Sequence, residues 1–439
     1  MSCGVLAIYA VCTAGVFFAC TCVITRAEVY EISPSIAGAD CVEEFEQVAN
    51  RLKPGDRLVL KGGRYEQACR RAVSVQGTKE RPIVIEAEAG ERPVLARPHN
   101  NRNSENNIEL VDVRYLTIRG VEFSGGSIGV RLLGDTDHFE LAHSIIRDTA
   151  NNAFAANVGN SRHLNLHHNT VHKTGQSEAP TEGEGFYLGC HDQSCSVSNS
   201  RVEHNNLFDL QGAGGGGNDG IEIKPGSGGN VVRHNSITGS GNKSDYPCIL
   251  VYGGGAQNVV ENNLLKNCSV GIYAASDALI RGNVVLESAV AGIEIHSHET
   301  VGAPSGVTLA NNTIVNRMSG GSGMHLSLWR ARHVAVLNNA VLTTRGPAIK
   351  GFWLGSAEFS SNWAGGQLRG VPLARKGIKR NKLNGSIPLP SDVEYFYLEQ
   401  FEDAGTSDTS IADSSDRAGV RRPQGSAIDI GAYERPVRK

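Results

Sequence analysis

Residues 218–237, NDGIEIKPGSGGNVVRHNSI, combine two short apolar segments with glycine and asparagine at their ends. In Gly-Ile-Glu-Ile-Lys at 220–224, apolar and polar side chains alternate with the period of two that is typical of a β-strand. Glycine and asparagine accept the left-handed backbone that sharp turns need. The stretch therefore predicts one coil of a repeated all-β structure.

Both parts of this stretch recur through the middle of the chain. An apolar segment with Asn or Ser at the same place occurs eight times, and the aligned residues are Ser144, Asn169, Asn206, Asn235, Asn263, Asn283, Asn312 and Asn339. A Gly-apolar-x-apolar segment precedes most of them, at 129–132, 185–188, 220–223, 271–274, 292–295 and 323–326. Short strands with Gly and Asn turns and no helical spacing predict a parallel β-helix, in which stacked asparagines hydrogen-bond from coil to coil.

The two ends of the chain depart from this repeat. An uncharged apolar run followed by Thr25-Arg26-Ala27 predicts a secretory signal over residues 1–27, although the run is long enough for a retained membrane anchor. Residues 42–52 predict a short amphipathic helix that caps the N-terminal end of a β-helix domain spanning 28–365. Residues 366–439 predict a loop-rich C-terminal cap packed on the solenoid. We expect a monomer that is secreted or periplasmic.

Cysteine content and charge narrow the class of protein further. Six cysteines follow the leader, and an even number in an exported chain predicts disulfides, with buried free thiols as the alternative. The expected pairs are local: Cys41 with Cys69, Cys190 with Cys195, and Cys248 with Cys268. The 42 basic and 45 acidic residues give a net charge of −3 without a basic block, which argues against a nucleic-acid partner.

Alignment of the coils places ionisable and aromatic side chains next to one another. Ile221 and Ile223 should point into the core, and Glu222 and Lys224 should then point out on one face. Neighbouring coils lie about 4.8 Å apart, so the expected neighbours are Lys224 with Tyr252, Glu222 with Tyr187, and Asp219 with Glu184. Tyr273, Glu294, His296 and His325 follow along the same strip. The alternative for Lys224 and Glu222 is a surface ion pair without function.

The segments PGDRLVLKGGRYE (54–66) and GTKERPIVIEAEAGERPVL (77–95), followed by Asn-rich coils, resemble secreted right-handed parallel β-helix proteins. Among these, the chain is most similar to polysaccharide lyases of the alginate lyase and chondroitinase B type and to pectate lyases that use a lysine base. The resemblance covers residues 28–365. It implies a secreted enzyme that cleaves an acidic, uronic-acid-containing polysaccharide by calcium-assisted β-elimination.

The same resemblance implies roles for residues of the strip. In these lyases a lysine is the base beside acidic calcium ligands, so Lys224 is the expected base. The expected Ca²⁺ ligands are Glu184, Asp219 and Glu222. The alginate lyase type has an arginine as acid about one coil later, where this chain has Tyr252, which can also donate a proton. The residues expected to contact the sugar are Tyr187, Tyr273 and His296. The clustered aspartates of lysine-dependent pectate lyases are missing.

Three other functions remain open on the same scaffold. A glycoside hydrolase needs two carboxyl groups at a defined separation, and pairs among the three carboxylates of the strip could supply them. An epimerase would share the proton abstraction step with a lyase. A secreted solenoid could also bind glycans or serve as a structural rod without catalysis, because β-helices support many functions.

Overall fold

The protein is described from a computed structural model, which covers residues 26–35, 44–97, 105–177, 182–212, 217–239, 246–371, 376, 378–381, 405 and 415–435. Within these residues every pair of strands is parallel, and successive strands lie on three faces that each coil visits in turn. This is the parallel β-helix that the repeat predicts.

Face one is a continuous parallel sheet that begins near the N-terminus. Its strands are Val29–Ile32, Arg57–Leu60, Ile83–Ala87, Arg114–Arg119, Thr136–Ala142, Asn165–His167, Arg201–Glu203, Val231–Arg233, Asn258–Glu261, Ser276–Arg281, Ser305–Ala310, Arg332–Leu337 and Ala357–Ser360, with Ser161–Arg162 and Val197–Ser198 beside it. Arg233, in this sheet, bonds Glu203 of the preceding coil with 2.5 Å between Nε and Oε2, so it belongs to the scaffold.

Face two follows face one around a sharp corner in each coil. Its strands are Gly63–Glu66, Pro93–Ala96, Glu122–Ser124, Ile145–Arg147, Thr170–Thr174, Asn206–Leu210, Ser236–Thr238, Leu264–Lys266, Val284–Leu286, Thr313–Asn316, Ala340–Phe352, Asn362–Arg369 and Ile378–Asn381.

Face three contains the Gly-apolar-x-apolar segments. Its strands are Arg71–Val73, Ile108–Val111, Val130–Leu133, Phe154–Ala156, Phe186–Leu188, Ile221–Ile223, Pro247–Val251, Val270–Ala274, Ala291–Ile295 and Ser322–Ser327, and the end of the long strand Ala340–Phe352 completes it.

The core consists of aliphatic and aromatic side chains stacked from coil to coil. On face three, Phe186 pairs with Ile221, and Ile221 pairs with Ile249 in the next coil. All three are fully buried. Because the register keeps apolar residues opposite one another, the core runs the length of the helix and fixes which side chains point outward.

An asparagine ladder lines the corner between face one and face two. Each rung of this ladder is one residue per coil, and its side-chain oxygen accepts a hydrogen bond from the backbone N–H of the rung in the preceding coil. For example, Asn235 N–H donates to Asn263 Oδ1 at 3.0 Å. The rungs are Ser144, Asn169, Asn205, Asn235, Asn263, Asn283, Asn312, Asn339 and Asn362.

The prediction of Asn206 as a rung is wrong, because Asn205 occupies that place and Asn206 is exposed at the start of the next strand. The left-handed residue at this corner is also not the rung itself. It precedes the rung, as His204 does with a φ of 56°. This backbone turn points residue 204 outward and residue 205 inward.

The segments before and after the solenoid pack against different parts of it. The N-terminal helix is Glu44–Ala49, and its Phe45 and Ala49 are buried against the first coils. Near the C-terminus, Ile430, Ala432 and Tyr433 pack with apolar side chains on the outer side of face two. The strand Asn362–Arg369 runs across the boundary predicted at residue 365, which stays a prediction.

Two of the expected disulfides are present. Cys190 is bonded to Cys195, and Cys248 is bonded to Cys268. Cys41 lies outside the described residues, so its pairing with Cys69 stays a prediction. The leader before residue 26 also lies outside them. No helix in the described ranges is long and apolar enough to cross a membrane.

Candidate functional site

A cleft of about 1020 Å³ runs along the outer side of face three. At one end it is lined by the side chains around Glu222 and Lys224, and at the other end by Lys350 and Arg369. One row of residues at the same register position in successive coils runs along this cleft. It consists of Glu222, Leu250, Tyr273, Glu294, His325 and Lys350. Five coil steps of about 4.8 Å make this row roughly 24 Å long, which is enough for several sugar units.

The expected neighbours of the strip are found in the structure. Tyr187 pairs with Glu222 in strand register, and Ile223 pairs with Val251, which places Tyr252 beside Lys224. Glu184 and Asp219 lie close together at the turn before their strands. Because the core residues fix this register, the side chains between them face the cleft together.

Burial of these groups differs from the expectation of an open strip on the surface. Glu184, Asp219 and Glu222 are only 2 to 3% exposed, and Lys224 is 6% exposed. Burying charged groups is costly unless they are paired or bind an ion. The ion pair between Lys224 and Glu222 is therefore not a surface ion pair.

Three carboxyl groups converge at the end of the cleft that contains Lys224. One oxygen from each of Glu184, Asp219 and Glu222 lies within 4.8 Å of the others. A second feature is that each residue has a buried oxygen without a hydrogen-bond partner, namely Glu184 Oε2, Asp219 Oδ1 and Glu222 Oε2. Buried oxygens of this kind are rare in folded proteins, and the three carboxyl groups together are a donor set that could hold a cation.

The pKa values of the three carboxyl groups reflect this crowding. Burial raises the pKa of Glu184 and that of Asp219 well above the ordinary carboxyl range, and the charge of Glu222 raises both further. Burial also raises the pKa of Glu222, although the nearby Lys224 opposes this effect. The cluster therefore holds protons unless a positive charge compensates it.

Lys224 supplies part of that positive charge. Its Nζ lies 2.5 Å from Glu222 Oε1, 4.3 Å from the ring centre of Tyr187 and 5.4 Å from that of Tyr252. Burial lowers the pKa of Lys224, but the Glu222 carboxylate outweighs this effect, and the pKa is raised above its ordinary value. With only these partners, Lys224 is a protonated ammonium group.

Tyrosines and histidines form the wall around this charged group. Burial raises the pKa of Tyr187 to about 12. Burial also raises the pKa of Tyr252 and that of Tyr273, so both phenols keep their protons. The His296 ring packs against Tyr273 at 4.6 Å between ring centres. The structure thus brings all eight predicted site residues to one cleft.

Several residues of the cleft were not predicted as part of a site. His191 lies in the loop closed by the Cys190–Cys195 disulfide, and its ring contacts Tyr252 and His298 at 5.7 and 5.9 Å between centres. Lys350 and Arg369 add positive charge at the far end. The sequence signal for His191 was its position between two paired cysteines. Lys350 follows the last of the recurring segments and Arg369 lies beyond the predicted β-helix domain, so neither carries a sequence signal.

Comparisons with known proteins agree with this architecture. A family model described as "Right handed beta helix region" matches residues 96–265 and 244–341, which together span more than half of the 439-residue chain. The chain therefore belongs to the right-handed β-helix family. A search of curated proteins found no match.

Solved structures with the same fold include enzymes that act on polysaccharides. The alginate lyase from Paenibacillus sp. str. FPU-7 is 18% identical, with a TM-score of 0.50 over 75% of this chain and 99% of that chain. Pectate lyase Pel9A is 15% identical, with a TM-score of 0.51 over 94% and 97%. XylC in its complex with xylose is 10% identical, with a TM-score of 0.59 over 92% and 98%. At these identities, the likeness establishes the fold alone.

Proposed function

We propose that this chain is a polysaccharide lyase that cleaves a uronic-acid glycan by calcium-assisted β-elimination. The observation that carries the proposal is the cluster of three buried carboxyl groups, each with an unpartnered oxygen, beside Lys224 in a cleft lined by tyrosines. Fold relatives that are alginate and pectate lyases support the same class of reaction.

The donor set fits calcium. Ca²⁺ is a hard cation that binds carboxylate oxygens, and Glu184, Asp219 and Glu222 would hold it. When bound, calcium would neutralise the uronate carboxyl group of the substrate and lower the pKa of Lys224 by compensating the Glu222 charge. The unpartnered oxygens of the three carboxyl groups are available as ligands for this ion.

Lys224 would remove the proton next to the uronate carboxyl group. The electron pair of that C–H bond forms the new C4=C5 double bond as the C4–O bond to the next sugar breaks. For this step Lys224 must be neutral, whereas in the structure its pairing with Glu222 keeps it protonated. Release of Glu222 from Lys224 is therefore a requirement of the proposed mechanism.

Tyr252 would protonate the leaving oxygen. Its pKa is raised by burial and by Glu222, so the phenol carries the proton that this role needs. In strand register, Tyr187 lies one coil before Lys224 and Tyr252 lies one coil after it. Tyr187, Tyr273 and His296 would bind the sugar.

An acidic substrate also fits the rest of the cleft. Lys350 and Arg369 line the end that is remote from Lys224, where they could bind further uronate groups of the same polymer. Glycoside hydrolysis fits less well, because its two carboxyl groups stand about 5 to 9.5 Å apart with sugar or water between them. The three carboxyl groups here converge within 4.8 Å and are buried.

The test is a substrate panel with the full chain. Alginate, pectate and glycosaminoglycans are incubated with Ca²⁺ or with a chelator, and the ultraviolet absorbance of the new double bond is followed. We expect absorbance to rise on at least one uronate polymer and to be lost with the chelator. Products with saturated ends would indicate a hydrolase. Binding without turnover on every polymer would indicate a glycan-binding protein, and both results would contradict the lyase proposal.

A further inference from the structure

Four histidines stack along the outer corner between face one and face two, away from the cleft on face three. Neighbouring rings lie 4.9 Å apart between centres, which is about one coil spacing. The stacked residues are His143, His168, His204 and His234. Each has a left-handed backbone, with φ between 51° and 56°, and each precedes a rung of the asparagine ladder.

A fifth histidine, His167, stands beside this stack and is not part of it. Its ring meets that of His168 edge-on at 5.1 Å and that of His143 edge-on at 5.7 Å between centres. In a regular strand, residues 167 and 168 would point to opposite faces. The left-handed turn at His168 instead brings both adjacent side chains to the outside of the corner.

Glu140 fixes the orientation of the His167 ring. Its Oε1 lies 2.8 Å from His167 Nε2, so Nε2–H donates to the carboxylate, and a neutral ring in this orientation carries its lone pair on Nδ1. This Nδ1 faces His168 Nδ1 at 2.9 Å. A carboxylate behind a histidine in this way is the arrangement that orients metal-binding histidines in proteins. The stacking of the other histidine rings does not require a carboxylate at this position.

We propose that His143, His167 and His168 bind a divalent transition-metal ion, and that Zn²⁺ is the ion that fits best. One ring nitrogen from each residue lies within 4.8 Å of the others. Imidazole nitrogens suit zinc, and three of them leave a fourth position for water. Zn–N bonds of about 2.05 Å put tetrahedral ligand atoms about 3.3 Å apart, so the two Nδ1 atoms must separate by a few tenths of an ångström.

One further feature of the surroundings favours metal binding at this place. The outward position of His143 and His168 gives the ion a path from solvent. The proposed ion would join two neighbouring coils, and its role would be independent of the carboxyl cluster in the cleft.

A second group with similar composition is a weaker candidate. Asp137, His138 and His163 also bring their ligand atoms together. Arg162, however, already pairs with Asp137 at 2.9 Å between Nη2 and Oδ2. The charge of that guanidinium group already compensates the Asp137 carboxylate, whereas Glu140 pairs with a histidine that belongs to the proposed zinc site.

The experiment measures Zn²⁺ binding to the untagged full chain by calorimetry, with Co²⁺ absorption as a report on the ligands. A Glu222→Gln background weakens zinc binding by the cleft carboxylates. We expect one equivalent of Zn²⁺ to bind in this background and to be lost in the His167→Ala/His168→Ala variant. Glu140→Gln should weaken binding roughly tenfold to a hundredfold. His234→Ala, two coils beyond His168 in the same stack, should bind as its parent does.

Either of two results would overturn the proposal. One is a parent chain that takes up no Zn²⁺ in the micromolar range. The other is equal affinity in the parent and in the His167→Ala/His168→Ala variant, which would place the ion elsewhere. Circular dichroism of each variant serves as the control for folding. If the double variant does not fold, Glu140→Gln decides, because an unchanged affinity in this conservative variant contradicts the role of Glu140.

Discussion

Replacement of Asn205 by alanine should destabilise the protein strongly, whereas the same change at Asn206 should not. The side chain of Asn205 makes three hydrogen bonds to other coils: its Nδ2 donates to Leu166 O at 2.9 Å and to Asn235 Oδ1 at 3.0 Å, and its Oδ1 accepts Asn169 N–H at 2.9 Å. At about 1 kcal/mol for each bond, Asn205→Ala should cost about 3 kcal/mol, and more where buried groups stay unpaired.

Asn206 is the matched control, since it is the next residue and has the same side chain. It is exposed, and changes at such positions usually alter stability by less than about 0.5 kcal/mol. Guanidinium denaturation gives the free energy of unfolding, and hydrogen exchange at Asn169 reports the local loss. Equal costs for Asn205→Ala and Asn206→Ala would refute the reasoning that the ladder holds the coils together.

Three further predictions concern the cleft. Folding raises the pKa of Asp219, so the chelated protein should lose stability as pH rises from about 4 through that raised pKa. In thermal melts, Asp219→Asn should reduce this loss and should also remove the stabilisation by Ca²⁺. Tyr252→Phe should lower kcat for elimination on the order of a hundredfold with little change in KM, because it removes a proton donor but keeps the ring; an unchanged kcat would exclude that role. Replacing Cys190 and Cys195 by serine should raise KM more than it lowers kcat, since the disulfide holds the loop of His191, and steady-state kinetics would show whether KM moves.

Much of the fold could be predicted from the sequence because a β-helix repeats its interactions in every coil. The two recurring segments determine which residues enter the core, and this fixed the neighbours of Glu222 and Lys224. The ladder position at 205 was missed because two asparagines are adjacent and the alignment used only the apolar flanks. The pairs His168-Asn169, His204-Asn205 and His234-Asn235 contained the correct signal.

The sequence predicted which residues belong to the site better than it predicted their burial and surroundings. Alternation places Glu222 and Lys224 outside the core, but it cannot show that the loops and tyrosines around them form a cleft and bury them. The high pKa of Lys224 follows from its contact with the Glu222 carboxylate, which outweighs the opposite effect of burial and depends on three-dimensional packing. The histidine stack was missed because no single coil shows it, and it is visible only when four coils lie side by side.

The most direct test of the central claim is the rate of double-bond formation by Lys224→Ala on the polymer that the parent cleaves, with Ca²⁺ present. General base catalysis contributes about 10² to 10⁴ in rate, so we expect a loss of that size, with the fold intact and partial rescue by an added primary amine. Lys173→Ala, an exposed lysine on face two, should retain the parent rate. A Lys224→Ala variant that forms unsaturated product as fast as the parent would contradict the assignment of Lys224 as the base.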